Sequence, residues 1–569
     1  MRVLTASVLL ALVSASAAAA PCQSVRSGDW NAPGTWAEGR APQPKGGDVV
    51  VIAAGHEVAI PAGIEAVASG NLAAGAADQR TTLVVHGKLT LDGDLSLNDR
   101  CDLRLMPGAT LDLAGHKLLA GLARLERVAL RFLGEPKRRV TVTSSQPGGA
   151  VVTGSTASAD VDFRNTDFTR LGDCRFGSRA GAAEHCRVSC CSFDGNGDLA
   201  FVFGEMPDAN DALFEGCDFR NPAGAKAMLL DLSCGGDKPT GKRLVSDCTF
   251  LGAGKPAVLR TIAAGLTVDH CVFEDAAWQS FQKGGQKIRS SFLHTSVHNC
   301  LVLISHAWGP AADTEDCYVF ADGRNPHSLH AADGATVRGC VFEATDPECN
   351  HVIPSKGVTI ERNIVLGAGT LCTGGGVNTG AVVVRRNTVY ATRTGPCVPM
   401  LILTEGLGNK FAGGCVARNN LLVDADTTDA GDCAVGLVEP DAGQIKVDYN
   451  DFFGYPGGDV RLRYHIWHGK HDPSAAIVQG GHDLNVDPKF VDRSRNLAAW
   501  DKSLGGPGTP ANAIRRLLDR EAKYNIDGLL DYIRKGFTPQ ANALDNAGDG
   551  ADGSPDIGAI DFGRPAAPR

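Results

Sequence analysis

Cationic, imidazole and amide side chains recur at similar places in successive β-type segments of this chain. They are Arg260 in VLRTIAAG (258–265), Lys283 in SFQKGG (280–285) and His306 in LVLISHAWG (301–309). The series continues with His330 in SLHAADG (328–334), Lys356 in VIPSKG (352–357) and Asn378 in GVNTG (376–380). Stacked on one outward face, five or six such positions would span about 25 Å at strand spacing. That length suits several units of a polysaccharide better than a small metabolite. In a lyase, His306 or His330 would be the base for the C5 proton, and Lys283 or Arg260 would stabilise the carboxylate anion. Arg260, Lys356, Asn378, His327 and Asp333 would then bind substrate. A hydrolase needs two carboxyl groups at a controlled separation; Asp231, Asp313, Glu315, Asp333 and Glu405 are available, and spacing singles out no pair among them. His327 and His330 form a His-x-x-His pattern, weak as a metal motif without further ligands. Outward residues on a solvated sheet are polar in any case, and a one-residue slip of register would turn every member of the column to the other side.

The elements that must position these residues are visible as a repeat. Period-2 segments ending in Cys or Asn read VSCCSF (188–193), LFEGCDF (213–219), LVSDCTF (244–250), LTVDHCVF (266–273), TEDCYVF (314–320) and TVRGCVF (336–342). They continue as VTIERNIV (358–365), VVVRRNTV (382–389), VARNNLL (416–422) and VDYNDF (447–452). With Cys191, Cys217, Cys248, Cys271, Cys317, Cys340, Asn363, Asn387, Asn420 and Asn450 as equivalents, most steps are 23 to 33 residues. The gap of 46 between Cys271 and Cys317 is two steps, with Ser291 of IRSSF (288–292) in the vacant place. A fixed period of this kind is a solenoid signature. Short strands without intervening helices predict a right-handed parallel β-helix whose coils bury their apolar faces by stacking. Leu266, Val268 and Phe273 should point inward, with Cys271 in a turn. Stacked Asn amides can hydrogen-bond one another and the backbone, and Cys fills the same slot as a small hydrophobe. Cys349, Cys372, Cys397 and Cys433 form a second column, expected nearer solvent and better placed for disulfides.

Composition narrows the class. Gly contributes 69 of 569 residues, about 12% against an average near 7%, which favours turn-rich β structure. A net charge of −9 argues against nucleic acid as a partner. The opening MRVLTASVLLALVSASAAAA (1–20) has the pattern of a secretory leader, and its apolar core is too short for a transmembrane anchor. The expected location is therefore secreted, extracellular or periplasmic, where the 18 cysteines could form disulfides. Near the other end, ANAIRRLLDREAKYNIDGLLDYIRK (511–535) predicts two short amphipathic helices broken near 525–527, closing the solenoid as a cap over its last coil. DNAGDGADGSPD (545–556) could hold calcium, although its spacing is not that of an EF-hand.

Residues 21–60 contain Gly28-Asp29-Trp30, Thr35-Trp36, Pro44, the run Gly47-Asp48-Val49-Val50-Val51-Ile52 and Gly55-His56. With LVVHGKLTLDG (83–93) and ATLDLAG (109–115), this stretch resembles the G8 domain over roughly residues 25–120. That all-β module occurs in fibrocystins, in the cell-migration-inducing family of hyaluronidases and in exported bacterial β-helix proteins. PHSLHAADG (326–334) is similar to a His-containing segment of that family's β-helix: His327, Asp333 and Gly334 match, and Ala332 stands where the family has an acidic residue. The resemblance implies glycan interaction. The expected organisation is a leader at 1–20, a G8-like β domain at 21–125, a right-handed parallel β-helix at 126–455 and a C-terminal capping region with short helices at 456–569. The expected function is binding, and on the enzyme reading cleaving, an extracellular acidic polysaccharide. The alternative is a non-catalytic cell-surface or adhesion scaffold.

Overall fold

The computed structural model describes residues 21–560 apart from 44–46, 73–78, 122–126, 154–157, 177–185, 198, 204–210, 221–229, 235–240, 253–256, 264, 276, 281–289, 299–300, 303–310, 323–328, 332, 346–348, 355, 375–381, 393–400, 405–414, 426–434, 439–444, 456–476, 520–525, 546, 549 and 551–555. The fold is an all-β parallel β-helix. A typical coil contributes three strands, as in Leu266–Asp269, Val272–Glu274 and Ala277–Ser280. Equivalent strands of successive coils pair in parallel. The first strands form one unbroken ladder from Gly28–Asp29 to Ile477–Gln479. That ladder crosses residue 125 without a break, because Arg127–Leu133 pairs with both Cys101–Leu105 and Ser158–Arg164. The second strands run as a ladder from Lys88–Leu97 to Asp451–Phe453.

The turn between first and second strands explains the repeat. The residue before each column position has positive φ: Cys190 (53°), Asp247 (52°), His270 (49°), His294 (45°), Asp316 (50°), Arg362 (57°), Arg386 (55°), Asn419 (55°) and Tyr449 (58°). A left-handed non-glycine residue costs about 1–2 kcal/mol, and the buried residue that follows offsets it by satisfying backbone groups. The Cys271 thiol donates to the carbonyls of Asp269 (3.3 Å) and Val245 (3.4 Å), and Cys317 and Cys340 repeat this pattern. From Asn363 onward the ladder is made of amides. Asn363 Nδ2 donates to Asn387 Oδ1, Asn387 Nδ2 to Asn420 Oδ1 and Asn420 Nδ2 to Asn450 Oδ1, each at 2.9 Å. Each Oδ1 also accepts the backbone N–H of the preceding column member. All four amides are fully buried.

Two expectations about the columns are corrected. Ser291 pairs with Thr267 in the first ladder, so the place between Cys271 and Cys317 belongs to Thr295, whose hydroxyl donates to Leu293 and Val268 carbonyls as the thiols do. A hydroxyl copies a thiol at this slot, which a search for Cys or Asn overlooks. Cys349 and Cys372 are both fully buried, and Cys372 pairs in register with Val352, so they do not form a column near solvent. Cys397 and Cys433 lie outside the described residues.

Leu266, Val268 and Phe273 are buried as expected. Inside the second ladder, Phe168, Phe193, Phe219, Phe250 and Phe273 stack ring on ring, with centroids 4.6–4.9 Å apart and planes within 7°. In-register pairing at the strand spacing imposes this repeat, and each stacked pair is worth about 0.5–1.5 kcal/mol beyond area burial.

Helices follow the solenoid, but not as a lid over its last coil. They are α1 (Leu497–Ser503), α2 (Pro510–Leu518) and α3 (Ile526–Gly536). The expected pair corresponds to α2 and α3; α1, N-capped by the Asn496 side chain, is additional. Ala513, Ile514, Leu517, Leu529, Leu530 and Ile533 pack against Val272, Tyr318, Phe320, Val341, Ile364, Leu366, Leu421 and Val423. These are outward positions of the second ladder, so the C-terminal region folds back along the flank of the solenoid. Asp501 ties α1 to α2: its carboxylate accepts from Gly508 N (2.9 Å), Asn512 Nδ2 (2.8 Å) and Arg516 Nε (3.1 Å).

Candidate functional site

Among the described residues, the strand register pairs neither Arg260 nor His330 with the next member of the polar column proposed from the sequence. Arg260, in Ala257–Ala263, pairs with Asp231 on one side and with Gln279, not Lys283, on the other. His330 pairs with Ile353, and Lys356 instead lies over Asp333, whose carboxylate accepts the Lys356 N–H at 3.3 Å. The physical reason is variable turn length. Residues 252–256 separate second and third strands in one coil, but only 275–276 do so in the next. Equivalent strand ends in the sequence are therefore not equivalent in register. Lys356 and Asp333 are exposed. Lys283, His306, His327 and Asn378 lie outside the described residues, and the side chains of Arg260 and His330 are not described.

Three of the carboxylates considered for hydrolysis have structural partners. Asp313 accepts the Thr336 N–H at 2.9 Å, Asp333 accepts that of Lys356, and Glu315 pairs with Arg338 at 2.6 Å. Glu405 lies outside the described residues, as do most of the residues from 546 to 555 in the suggested calcium segment.

A groove of about 520 Å³ opens on the first ladder toward its N-terminal side. Arg131, Asp162 and Arg187 form consecutive rungs of alternating sign along it. Asp160, Asp211 and Leu213 complete the walls. The Arg131 guanidinium spans Asp102 (3.2 Å) and Asp160 (3.3 Å), so it is fixed before any ligand arrives. Further along the same ladder, Glu315, Arg338, Glu361 and Arg385 continue the alternation, paired at 2.6 Å within each couple.

A second cluster lies where the solenoid meets α3. His270 and His294 occupy the left-handed turn position of adjacent coils, and their rings stack with centroids 4.7 Å apart and planes 10° from parallel. His270 Nδ1 lies 2.9 Å from Asp269 Oδ1, and its Nε2 lies 3.6 Å from Asp527 Oδ2. His294 Nδ1 is 2.7 Å from Asp527 Oδ1. The Asp269 hydrogen bond pushes the His270 imidazole up to about 8. Both histidines are about one-third exposed.

Beneath α1, Tyr318 donates to Glu343 Oε2 at 2.6 Å, and the Leu497 N–H donates to the same oxygen at 3.1 Å. Burial raises the Glu343 carboxyl and outweighs these two bonds, which act in the opposite direction. Glu343, Tyr390, Arg493, Arg495 and Phe537 line a cavity of about 310 Å³ between flank and helices.

Sequence reasoning passed over His270, His294 and Asp527. The two histidines stand one repeat apart, each before a column residue, and that signal is readable in LTVDHC and SSFLHT. Asp527 joins them only through the folding back of α3. The fold makes this chain a parallel β-helix protein. No protein-family model matches it, and no curated protein does. No helix among the described residues is long and apolar enough to cross a membrane.

Proposed function

We propose that the protein is an exported β-helix that binds an extracellular polysaccharide across its first ladder, in the groove from Arg131 to Asp211. The observation that carries this reading is the groove itself: an open, extended cleft with pre-aligned guanidinium and carboxylate groups on a rigid sheet. Such groups pair bidentately with sugar hydroxyls, and arginine also receives uronate carboxylates. Export is supported by the leader pattern at 1–20, and kinship with G8-bearing solenoids by the glycine and tryptophan pattern of residues 25–120. The mixed signs of the groove fit a chain offering both hydroxyls and carboxylates. Cleavage by a lyase or hydrolase route belongs to the same proposal as its catalytic extension.

The test is a panel of neutral and uronate polysaccharides against the mature protein, read by calorimetry. Reducing ends and the ultraviolet absorbance of unsaturated uronates are followed in parallel. Binding that weakens at least tenfold in Arg187→Ala supports the reading. New reducing ends with absorbance indicate a lyase; reducing ends alone indicate a hydrolase. Absence of binding across the panel overturns the proposal in favour of a scaffold. The self-neutralised Glu315–Arg338 and Glu361–Arg385 couples favour that second reading, because paired surface charges offer little to a ligand.

A further inference from the structure

We propose that His270, His294 and Asp527 form a binding site for a divalent transition metal of the zinc class, joining the solenoid to α3. The candidate donors are His270 Nε2, His294 Nδ1 and the Asp527 carboxylate, all within 4.8 Å of one another. Two imidazoles and a carboxylate form a nitrogen-oxygen set suited to zinc-class ions. The solenoid itself supplies the pair of imidazoles. Adjacent coils place their left-handed turn residues one strand spacing apart, so histidines at equivalent positions stack and present nitrogens to the same side.

The support around the cluster is a second observation. Asp269 holds His270 Nδ1 at 2.9 Å, which fixes the tautomer and aims Nε2 toward Asp527. Ligating histidines are characteristically oriented by a carboxylate in this way. His294 lacks such a carboxylate among its described contacts and instead turns Nδ1 to Asp527 at 2.7 Å. Metal binding would replace the proton between them, releasing it to solvent as the imidazole becomes a ligand. Three protein donors leave a fourth position, and Asp527 and both rings reach solvent, so a water or an anionic oxygen could take it. The comparison pair is His482 and Asp448, which lie 3.1 Å apart with no second histidine beside them among the described residues: His482 stacks on Tyr449. That pair provides the control.

The experiment titrates metal-stripped protein with Co2+, reading visible d–d absorption, and then displaces it with Zn2+. One Co2+ per chain should bind and be displaced. Asp269→Asn should weaken affinity about 10–100-fold, as loss of an orienting carboxylate does. His294→Ala and Asp527→Asn should abolish the absorption, while His482→Ala should leave it unchanged. Circular dichroism checks that each variant is folded. A misfolded His294→Ala leaves Asp527→Asn, an exposed and nearly isosteric change, to decide. Absence of the band in folded native protein, or a band that survives Asp527→Asn, overturns the site and leaves a proton-mediated His–Asp clasp. Neither readout depends on glycan binding, so this inference and the proposed function fail separately.

Discussion

The second ladder is one continuous sheet with two different outer surfaces. In its N-terminal coils the outward residues are Asp167, Thr169, Ser192, Asp194, Asp218 and Arg220, at least partly solvated. In its C-terminal coils they are Tyr318, Val341, Ile364, Leu366, Leu421 and Val423, all buried beneath the helices. Inward residues stay apolar throughout, from Phe168, Phe193 and Phe219 to Phe342, Val365 and Leu422. The inner face is thus dictated by coil stacking alone, whereas the outer face depends on what lies over it. The turn column changes along the same axis, from thiols that donate to carbonyls to an amide ladder whose members bond each other. A thiol is a weak donor that behaves as a small hydrophobe, while a buried amide demands full pairing. The covered half is therefore more specified and more vulnerable to polar loss.

Substitutions can break this contrast. The largest effect is expected from Phe219→Ala in the uncovered half, which removes a ring from the middle of the stack and should cost about 3–5 kcal/mol. Chemical denaturation would measure it, and a loss below 1 kcal/mol would mean the stack is not continuous. Ile533→Ala, in α3, should cost about 2–5 kcal/mol. Its effect should fall on the helices and covered coils, read as faster hydrogen exchange there with the Phe168–Phe250 coils unchanged. Asn420→Ala removes acceptor and donor together, leaving the Asn387 backbone N–H without its partner, and should cost about 1–3 kcal/mol. Cys248→Ala, at the equivalent place in the uncovered half, should cost clearly less than Asn420→Ala; equal losses would remove the distinction between the columns.

The smallest effect is a pH dependence of helix docking. Burial raises the Glu343 carboxyl above its unfolded value. Its contribution is therefore fully present below the unfolded pKa, about 4.3, and is lost as pH rises through the folded value. Glu343→Gln keeps acceptor capacity without the charge. It should match the native protein in acid and be the more stable at pH 8. Thermal melts at both pH values decide this, and a variant less stable at pH 8 would contradict it.

Much of the fold was legible in the sequence because a solenoid repeats its instructions. The apolar alternation, the Cys-to-Asn column and the amphipathic spacing of residues 514–533 each follow from local chemistry. The outward apolar strip of the covered coils is visible there too, although not what covers it. Val341, Ile364, Leu366, Leu421 and Val423 stand at outward positions where earlier coils have Ser192, Asp194, Asp218 and Arg220, and strands apolar on both faces are those buried on both. The candidate site was far less legible. The column from Arg260 through Lys356 depended on register, and the turn between second and third strands changes length from coil to coil. Arg131, Asp162 and Arg187 lie on three separate strands, and only their pairing makes them rungs of one groove.

By itself, the sequence determined the coil: which residues turn inward, where the chain turns and which side chains satisfy that turn, since these rest on contacts between neighbouring repeats. Only the tertiary structure decided where the C-terminal helices lie, and with them the burial of Glu343 and the meeting of His270, His294 and Asp527. The contacts made to the helices join residues more than 150 positions apart, as Leu497 to Glu343 does across 154. No local period records that distance; it follows from the apolar strip that the covered coils present and the helices bury.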